Sequence, residues 1–204
     1  MKHFVVTEKR SLKAKKIKSV IADYFSEIGN DVFCVDIEDQ RLNKGNCEFR
    51  QVQDENLPFD DEFFDIVISN HIIEHVSNAD LHLNEIKRVL KSDGVCYLAT
   101  PNRIFPYEVH YKLFFLHWLP NSFFMMLLKL FGKYKEDLFL LSHFSLLRKI
   151  KKHFKATEYT HKIVAEPDKY FANDMIPSII AGKNLKWLNW ASPTLVFVLR
   201  KNEK

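Results

Sequence analysis

Apolar residues recur along this chain at two different spacings, and the changes of spacing mark its elements. Ile17, Val20, Ile21, Tyr24, Phe25 and Ile28 repeat at helical intervals, with Lys15, Lys16, Lys18 and Glu27 on the opposite face. Ser11 can cap the start of this helix, and Gly29-Asn30 suit its end. His3–Val6 is a short apolar run that can form a strand. Val32–Val35 is a continuous apolar run ending at Asp36, which predicts a buried strand. A short strand is expected around Glu48–Val52, and a longer one at Phe64–Asn70. The next helix is predicted over Asn78–Lys91, with Leu83, Ile86, Val89 and Leu90 facing inward and Ser92-Asp93-Gly94 as its stop. Val95–Ala99 reads as a further buried strand ended by Thr100-Pro101-Asn102. Tyr111–Phe131 is heavily apolar and aromatic and is broken at Pro120-Asn121, which predicts two short helices or an interfacial helix pair. A basic helix over Ser142–Phe154 and strands near Glu158–Val164 and Thr194–Leu199 complete the pattern.

Strands alternating with helices imply a Rossmann-like, doubly wound α/β fold, with a mostly parallel sheet and helices on both faces. The expected organisation is a single domain over residues 1–204, with an aromatic insertion at about residues 104–135. Composition narrows this little: 204 residues, 47% hydrophobic and 27% charged, are ordinary for a globular domain. The net charge of +4 is too small to argue for nucleic acid, and no such partner is expected. Three cysteines, Cys34, Cys47 and Cys96, lack paired spacing and predict neither a disulfide framework nor a zinc knuckle. The first ten residues predict no signal peptide. The expected location is therefore the cytoplasm. Tyr111–Phe131, aided by the basic helix near Lys149–Lys155, is a candidate for peripheral membrane contact.

Ligands of doubly wound sheets bind beyond the C-terminal ends of the strands. Asp36 ends one strand, where an acid can accept hydrogen bonds from both hydroxyls of a ribose. Asp54 follows the next, beside Leu57-Pro58-Phe59, an apolar wall on which a flat ring could pack. Asn70-His71 follows the third.

In order, Val35-Asp36-Ile37, Asp54-Glu55-Asn56-Leu57-Pro58-Phe59, Phe64–Asn70, Ile73-Glu74-His75-Val76, Glu85–Lys91, Gly94 and Thr100-Pro101-Asn102 resemble the middle of a class I S-adenosylmethionine-dependent methyltransferase domain, of the methyltransferase type 11 kind. The resemblance implies S-adenosylmethionine as cofactor and methyl transfer to a small-molecule or lipid-like acceptor. It implies that Asp36, with Ile37 beside it, binds the ribose, that Asp54 and Glu55 flank the adenine, and that Asn70 lines the methionine side. The alternative function is a catalytically inactive binding or scaffold protein of the same fold. The chain departs from the family upstream, where a strand normally ends in an acidic glycine-rich turn: no glycine precedes Gly29. Either His3–Val6 replaces that strand, with Thr7–Ser11 as a glycine-free loop, or a segment is absent between Phe25 and Ser26. The second arrangement suits the peptide from Phe25 to Asp36 better. Both predict poor cofactor affinity, with the N-terminal strand and glycine loop, normally central to the sheet, reduced or absent.

His71-Ile72-Ile73-Glu74-His75 also matches an inverted zinc-protease pattern. Zinc would need both histidines on one helix face and a third ligand downstream. The motif follows a buried strand directly, and the resemblance accounts for Glu74-His75 without metal, so no metal is expected. His75 is the candidate general base.

Overall fold

The computed structural model describes residues 2–8, 20–39, 47–170, 172–174, 176 and 178–202. Nine strands and five α-helices are present among them: β1 (His3–Glu8), α1 (Val20–Glu27), β2 (Asp31–Asp36), β3 (Glu48–Gln51), β4 (Phe64–Asn70), α2 (Ala79–Val89), β5 (Leu90–Pro101), β6 (Tyr107–Glu108), β7 (Leu113–Phe114), α3 (Asn121–Leu130), α4 (His143–Lys151), β8 (Phe154–Glu158), α5 (Thr160–Ala165) and β9 (Thr194–Lys201). Seven strands form one sheet in the order β3-β2-β1-β4-β5-β9-β8. The first five are parallel, and β9 runs antiparallel to both β5 and β8.

The period of two along each strand divides the core between the two faces of the sheet. Phe33, Val35, Val67, Cys96 and Leu98 face α2 and α4, meeting Leu83, Ile86, Leu146 and Ile150. Val32, Cys34, Ile66, Ile68 and Tyr97 face the other way, toward Ala22 and Phe25 of α1. Helix α1 ends as expected: Gly29 takes φ +86°, and the Asn30 side-chain amide donates to the Phe25 carbonyl at 3.0 Å. Its expected cap, Ser11, lies outside the described residues. Asn78 caps α2 by accepting from the backbone N–H groups of Asp80 and Leu81.

Several expectations need correction. His3–Glu8 occupies the centre of the sheet, paired with β2 on one side and β4 on the other, so the first strand is in place and no segment need be missing before Asp36 to supply it. The loop leading from it into α1, residues 9–19, lies outside the described residues. Ser92-Asp93-Gly94 does not end a helix. The chain passes from Val89 straight into β5, and residues 91–94 bulge from the strand, because Phe64 pairs with Leu90 while Ile66 pairs with Val95. Glycine is required there, since a Cβ on Gly94 would lie 2.8 Å from Leu90 Cδ1. The last hairpin also begins earlier than expected, at Phe154, and residues 160–165 are helical. Cys34 and Cys47 form a disulfide. Spacing along the chain conceals that pair, but β2 and β3 are neighbours in which Cys34 pairs with Phe49, and this brings Cys47 alongside.

The insertion replaces the two expected helices by a hairpin (β6 and β7), a short 3-10 turn at Leu116–Trp118 and the single helix α3. It has its own apolar cluster of Tyr111, Phe124, Met125, Leu128, Leu138 and Leu140. Asn102 ties its start to the C-terminal hairpin by donating to the carbonyls of Trp190 and Ser192 at 2.7 and 2.9 Å.

Candidate functional site

Parallel pairing sets the C-terminal ends of β1, β2, β3 and β4 along one edge of the sheet. Glu8 pairs with Asn70, and Asp36 pairs with Gln51. The expected cofactor residues therefore share that edge: Asp36 and Ile37 after β2, Asp54 and Glu55 after β3, and Asn70 at the end of β4. Asp36 Oδ1 accepts the backbone N–H of Ile37 at 2.7 Å, which fixes the carboxylate against its own strand end. Ile37 is exposed, 59% of its surface being open, so an apolar side chain stands beside the acid. Asp54 accepts from the backbone N–H of Asn56 at 2.9 Å, and Glu55 accepts from the Ser77 hydroxyl at 3.5 Å.

The apolar wall is arranged differently from the expectation. Leu57 and Phe59 are buried in the main core and only Pro58 faces outward. Arg88 holds this loop from α2, donating to the carbonyls of Leu57 and Phe59 at 2.9 and 2.7 Å and to Asp61 at 2.8 Å. Glu85 completes the clamp: it accepts from Arg88 at 2.8 Å and from the Leu57 backbone N–H at 3.0 Å. The hydrogen bond from Arg88 holds the Glu85 carboxyl below the usual carboxylate range, against a smaller effect of burial.

Beyond β4 the chain turns sharply. His71 has φ +57°, a left-handed conformation unusual for a side chain other than glycine, and its backbone N–H donates to Ala99 O. The turn swings Glu74 back beneath β5, where its carboxylate is fully buried. Thr100 Oγ1 donates to Glu74 Oε2 at 2.8 Å, and His71 Nδ1 lies 3.1 Å from Glu74 Oε1. Burial opposes ionisation of Glu74, but the His71 hydrogen bond and the neighbouring His71 and His75 outweigh it and keep the pKa below the usual value.

The segment from His71 to His75 is a turn rather than a helix. His75, the expected general base, is nearly buried, with Glu74 on one side of its ring and Glu136 on the other. The more open imidazole is His71, with 35% of its side chain exposed. It lines a cavity of about 120 Å³ together with Asn102, Tyr107, Glu108 and His117.

A residue that sequence reasoning missed completes this cluster. His110, on the β6–β7 hairpin, brings a ligand atom within 4.8 Å of those of Glu74 and His75. Glu108 accepts from His110 Nδ1 at 2.6 Å and from the backbone N–H of Tyr111 at 2.6 Å. Burial again opposes ionisation of Glu108, and the bonds from His110 and Tyr111 reverse it. The only sequence signal for His110 is the pair Glu108 and His110 beside an aromatic run, and its place in the cluster depends on the hairpin.

Several known proteins similar to this chain are methyltransferases. Residues 18–98 match the methyltransferase domain family. The ubiquinone biosynthesis O-methyltransferase of Bartonella tribocorum is 30% identical over 83 residues, which are 39% of this chain and 34% of that protein. The chain thus spans about a third of the length of this curated relative. Among solved structures, a putative S-adenosylmethionine dependent methyltransferase from Listeria monocytogenes superposes with a TM-score of 0.63 at 13% identity, covering 99% of this chain and 90% of that one. The 1,6-didemethyltoxoflavin-N1-methyltransferase of Burkholderia thailandensis, solved with 1,6-didemethyltoxoflavin and S-adenosylhomocysteine, gives a TM-score of 0.53 at 16% identity, covering 98% and 71%. The segment that matches the methyltransferase domain runs from α1 through β5, and the whole sheet follows the same path as these solved structures.

Proposed function

We propose that this protein binds S-adenosylmethionine along the edge formed by Asp36, Ile37, Asp54, Glu55 and Asn70, and methylates a small-molecule or lipid-like acceptor. The observation that carries this reading is the placement of those residues at the ends of adjacent parallel strands within the segment that matches the methyltransferase domain. When bound, the cofactor supplies an electrophilic methyl group on a sulfonium sulfur. The chain's own groups bind and orient. Asp36 accepts from the ribose hydroxyls, Ile37 lies against the adenine, and Asp54 and Glu55 take its amino group. Asn70 lines the methionine side, next to the cavity bounded by His71 and Asn102, where an acceptor would stand in line with the methyl. The relatives' names support a small-molecule acceptor. No comparison favours a catalytically inactive scaffold.

Calorimetric titration with S-adenosylhomocysteine tests the proposal. Saturable binding is expected, and Asp36→Ala should weaken it about 10–100-fold, as for loss of charge-assisted hydrogen bonds. No binding at millimolar ligand overturns the reading, and an unchanged affinity in Asp36→Ala overturns the ribose assignment.

The lipid-like character of the acceptor is read from the insertion. Helix α3 buries Phe124, Met125 and Leu128 on one side yet exposes Phe123, Met126 and Leu130 on the other. Phe114, Phe115, Trp118 and Phe131 are also exposed, and Lys129, Lys133 and Lys135 lie along the same segment. Aromatic side chains with flanking lysines suit the headgroup region of a bilayer. Among the described residues no helix is long and apolar enough to cross a membrane. The basic face of α4 contributes less than the sequence suggests, because Lys149 and Lys152 are paired with Asp80 of α2. The protein should co-sediment with anionic vesicles, and the double variant Leu130→Ser, Phe131→Ser should stay largely in the supernatant. Wild-type protein left wholly in the supernatant rules the contact out.

A further inference from the structure

We propose that Glu74, His75 and His110 form a binding site for one divalent transition-metal ion, which joins the insertion to the end of β4. This goes beyond methyl transfer and does not depend on it. The ligand atoms of the three residues lie within 4.8 Å of one another. Two imidazole nitrogens and one carboxylate oxygen are donors that suit zinc and its first-row neighbours, and three protein ligands leave a position open.

The second observation is how each donor is held. Histidines that bind metals usually present one ring nitrogen to the ion and give the other to a carboxylate, which sets tautomer and ring direction. His110 has that arrangement, and His75 has a carboxylate near its second nitrogen beyond hydrogen-bond distance. His110 Nδ1 donates to Glu108 Oε1 at 2.6 Å, leaving Nε2 as its lone-pair nitrogen. His75 Nδ1 faces Glu136 Oε2 at 3.6 Å, while its Nε2 lies 3.9 Å from Glu74 Oε1. Glu74 is oriented likewise, with Thr100 donating to its other oxygen. Glu108 is itself locked by the backbone N–H groups of His110 and Tyr111. The two imidazole rings meet edge to face with centroids 5.2 Å apart.

Charge points the same way. Three carboxylates, Glu74, Glu108 and Glu136, lie around the two histidines, and Glu74 and Glu108 are buried. Buried carboxylates are costly unless a cation compensates them. Ligand atoms around tetrahedral zinc stand roughly 3.4 Å apart, so the donors need close by only about an ångström. The turn at His71 provides one half of the site and the hairpin the other. A bound ion would therefore fix the hairpin against the sheet at the rim of the cavity lined by His71 and Glu108.

The test is titration of the tag-free, chelator-treated chain with Zn²⁺ by calorimetry, and with Co²⁺ by visible absorption. The expected result is one ion per chain and the intense cobalt bands of a four-coordinate site. His110→Ala sits on a short hairpin and should fold. It should lower the affinity at least about 10-fold and remove the cobalt bands, with His75→Ala doing the same. A wild-type chain with no saturable site, or His110→Ala that binds as the wild type does, overturns the proposal. Titrating the same samples with S-adenosylhomocysteine keeps the two questions apart: loss of the metal with cofactor binding intact counts against this site alone, and the converse against the methyltransferase reading alone.

Discussion

Phe64→Ala should cost about 3–5 kcal/mol of folding free energy, the range for emptying the space of a fully buried aromatic ring. The ring has no exposed surface. It meets Phe59 edge-on at 4.7 Å, Phe63 at 4.9 Å and Phe33 at 5.7 Å, so both β2 and the loop that precedes β4 lean on it. Domains of this size hold about 5–15 kcal/mol in all. The variant should therefore unfold at markedly lower urea with an unchanged slope. It should also bind cofactor less well, because Phe59 anchors the loop that carries Asp54 and Glu55. A cost below about 1 kcal/mol would mean that the surrounding rings collapse into the space, and that this cluster does not set the stability of the sheet.

Acidification from pH 7 to pH 4.5 should remove a further large share of stability, through His82. This side chain is buried on α2, with its Nε2 3.0 Å from the Ser69 hydroxyl. Burial pushes its pKa down from 6.5 to about 4, against the opposing charges of Glu55 and Glu74. The unfolded chain takes up a proton below pH 6.5 that the folded chain refuses until about pH 4. Stability is therefore full above 6.5 and falls as the pH drops toward 4, by about 3 kcal/mol for one such group. Carboxyl groups held low by their partners, such as Asp80 and Glu85, act in a lower window, below their ordinary values of 3.8 and 4.5. Urea titrations at pH 7 and 4.5 check the effect. His82→Gln cannot take up the proton and should lose less stability between these two values than the wild type. Equal losses would assign the acid sensitivity elsewhere.

The parts of the fold that were legible in the sequence are those whose burial is decided locally. Phe64–Asn70 is a continuous apolar strand bounded by polar loops, and its ends coincide with prediction. Helix α2 was legible from its spacing and from Asn78. The last hairpin was not. Phe154 to Glu158 alternates buried and exposed within a lysine-rich stretch, and only its partner β9 makes it a strand. The acids at the strand ends were legible because a parallel sheet sends every such end to one edge. His110 was not, because it reaches Glu74 only through a hairpin of two-residue strands whose placement depends on Asn102 and on the insertion's own core. The disulfide escaped for the same reason: adjacency in a sheet does not show in the spacing of two cysteines.

That cross-link bears on how the protein must be handled. Cys34 and Cys47 are 13 positions apart, and Asp36 lies within the ring they close. Closing a ring of this size restricts the unfolded chain by about 3 kcal/mol on the loop-entropy account. Oxidised, the acid proposed to hold the ribose sits in a covalent macrocycle. Reduced, it sits in a segment whose ends are held together by strand pairing and apolar packing without a covalent bond. Two preparations identical in sequence can thus present the same carboxylate on backbones of different freedom, and the thiol content of the buffer becomes an experimental variable equal in standing to the cofactor concentration.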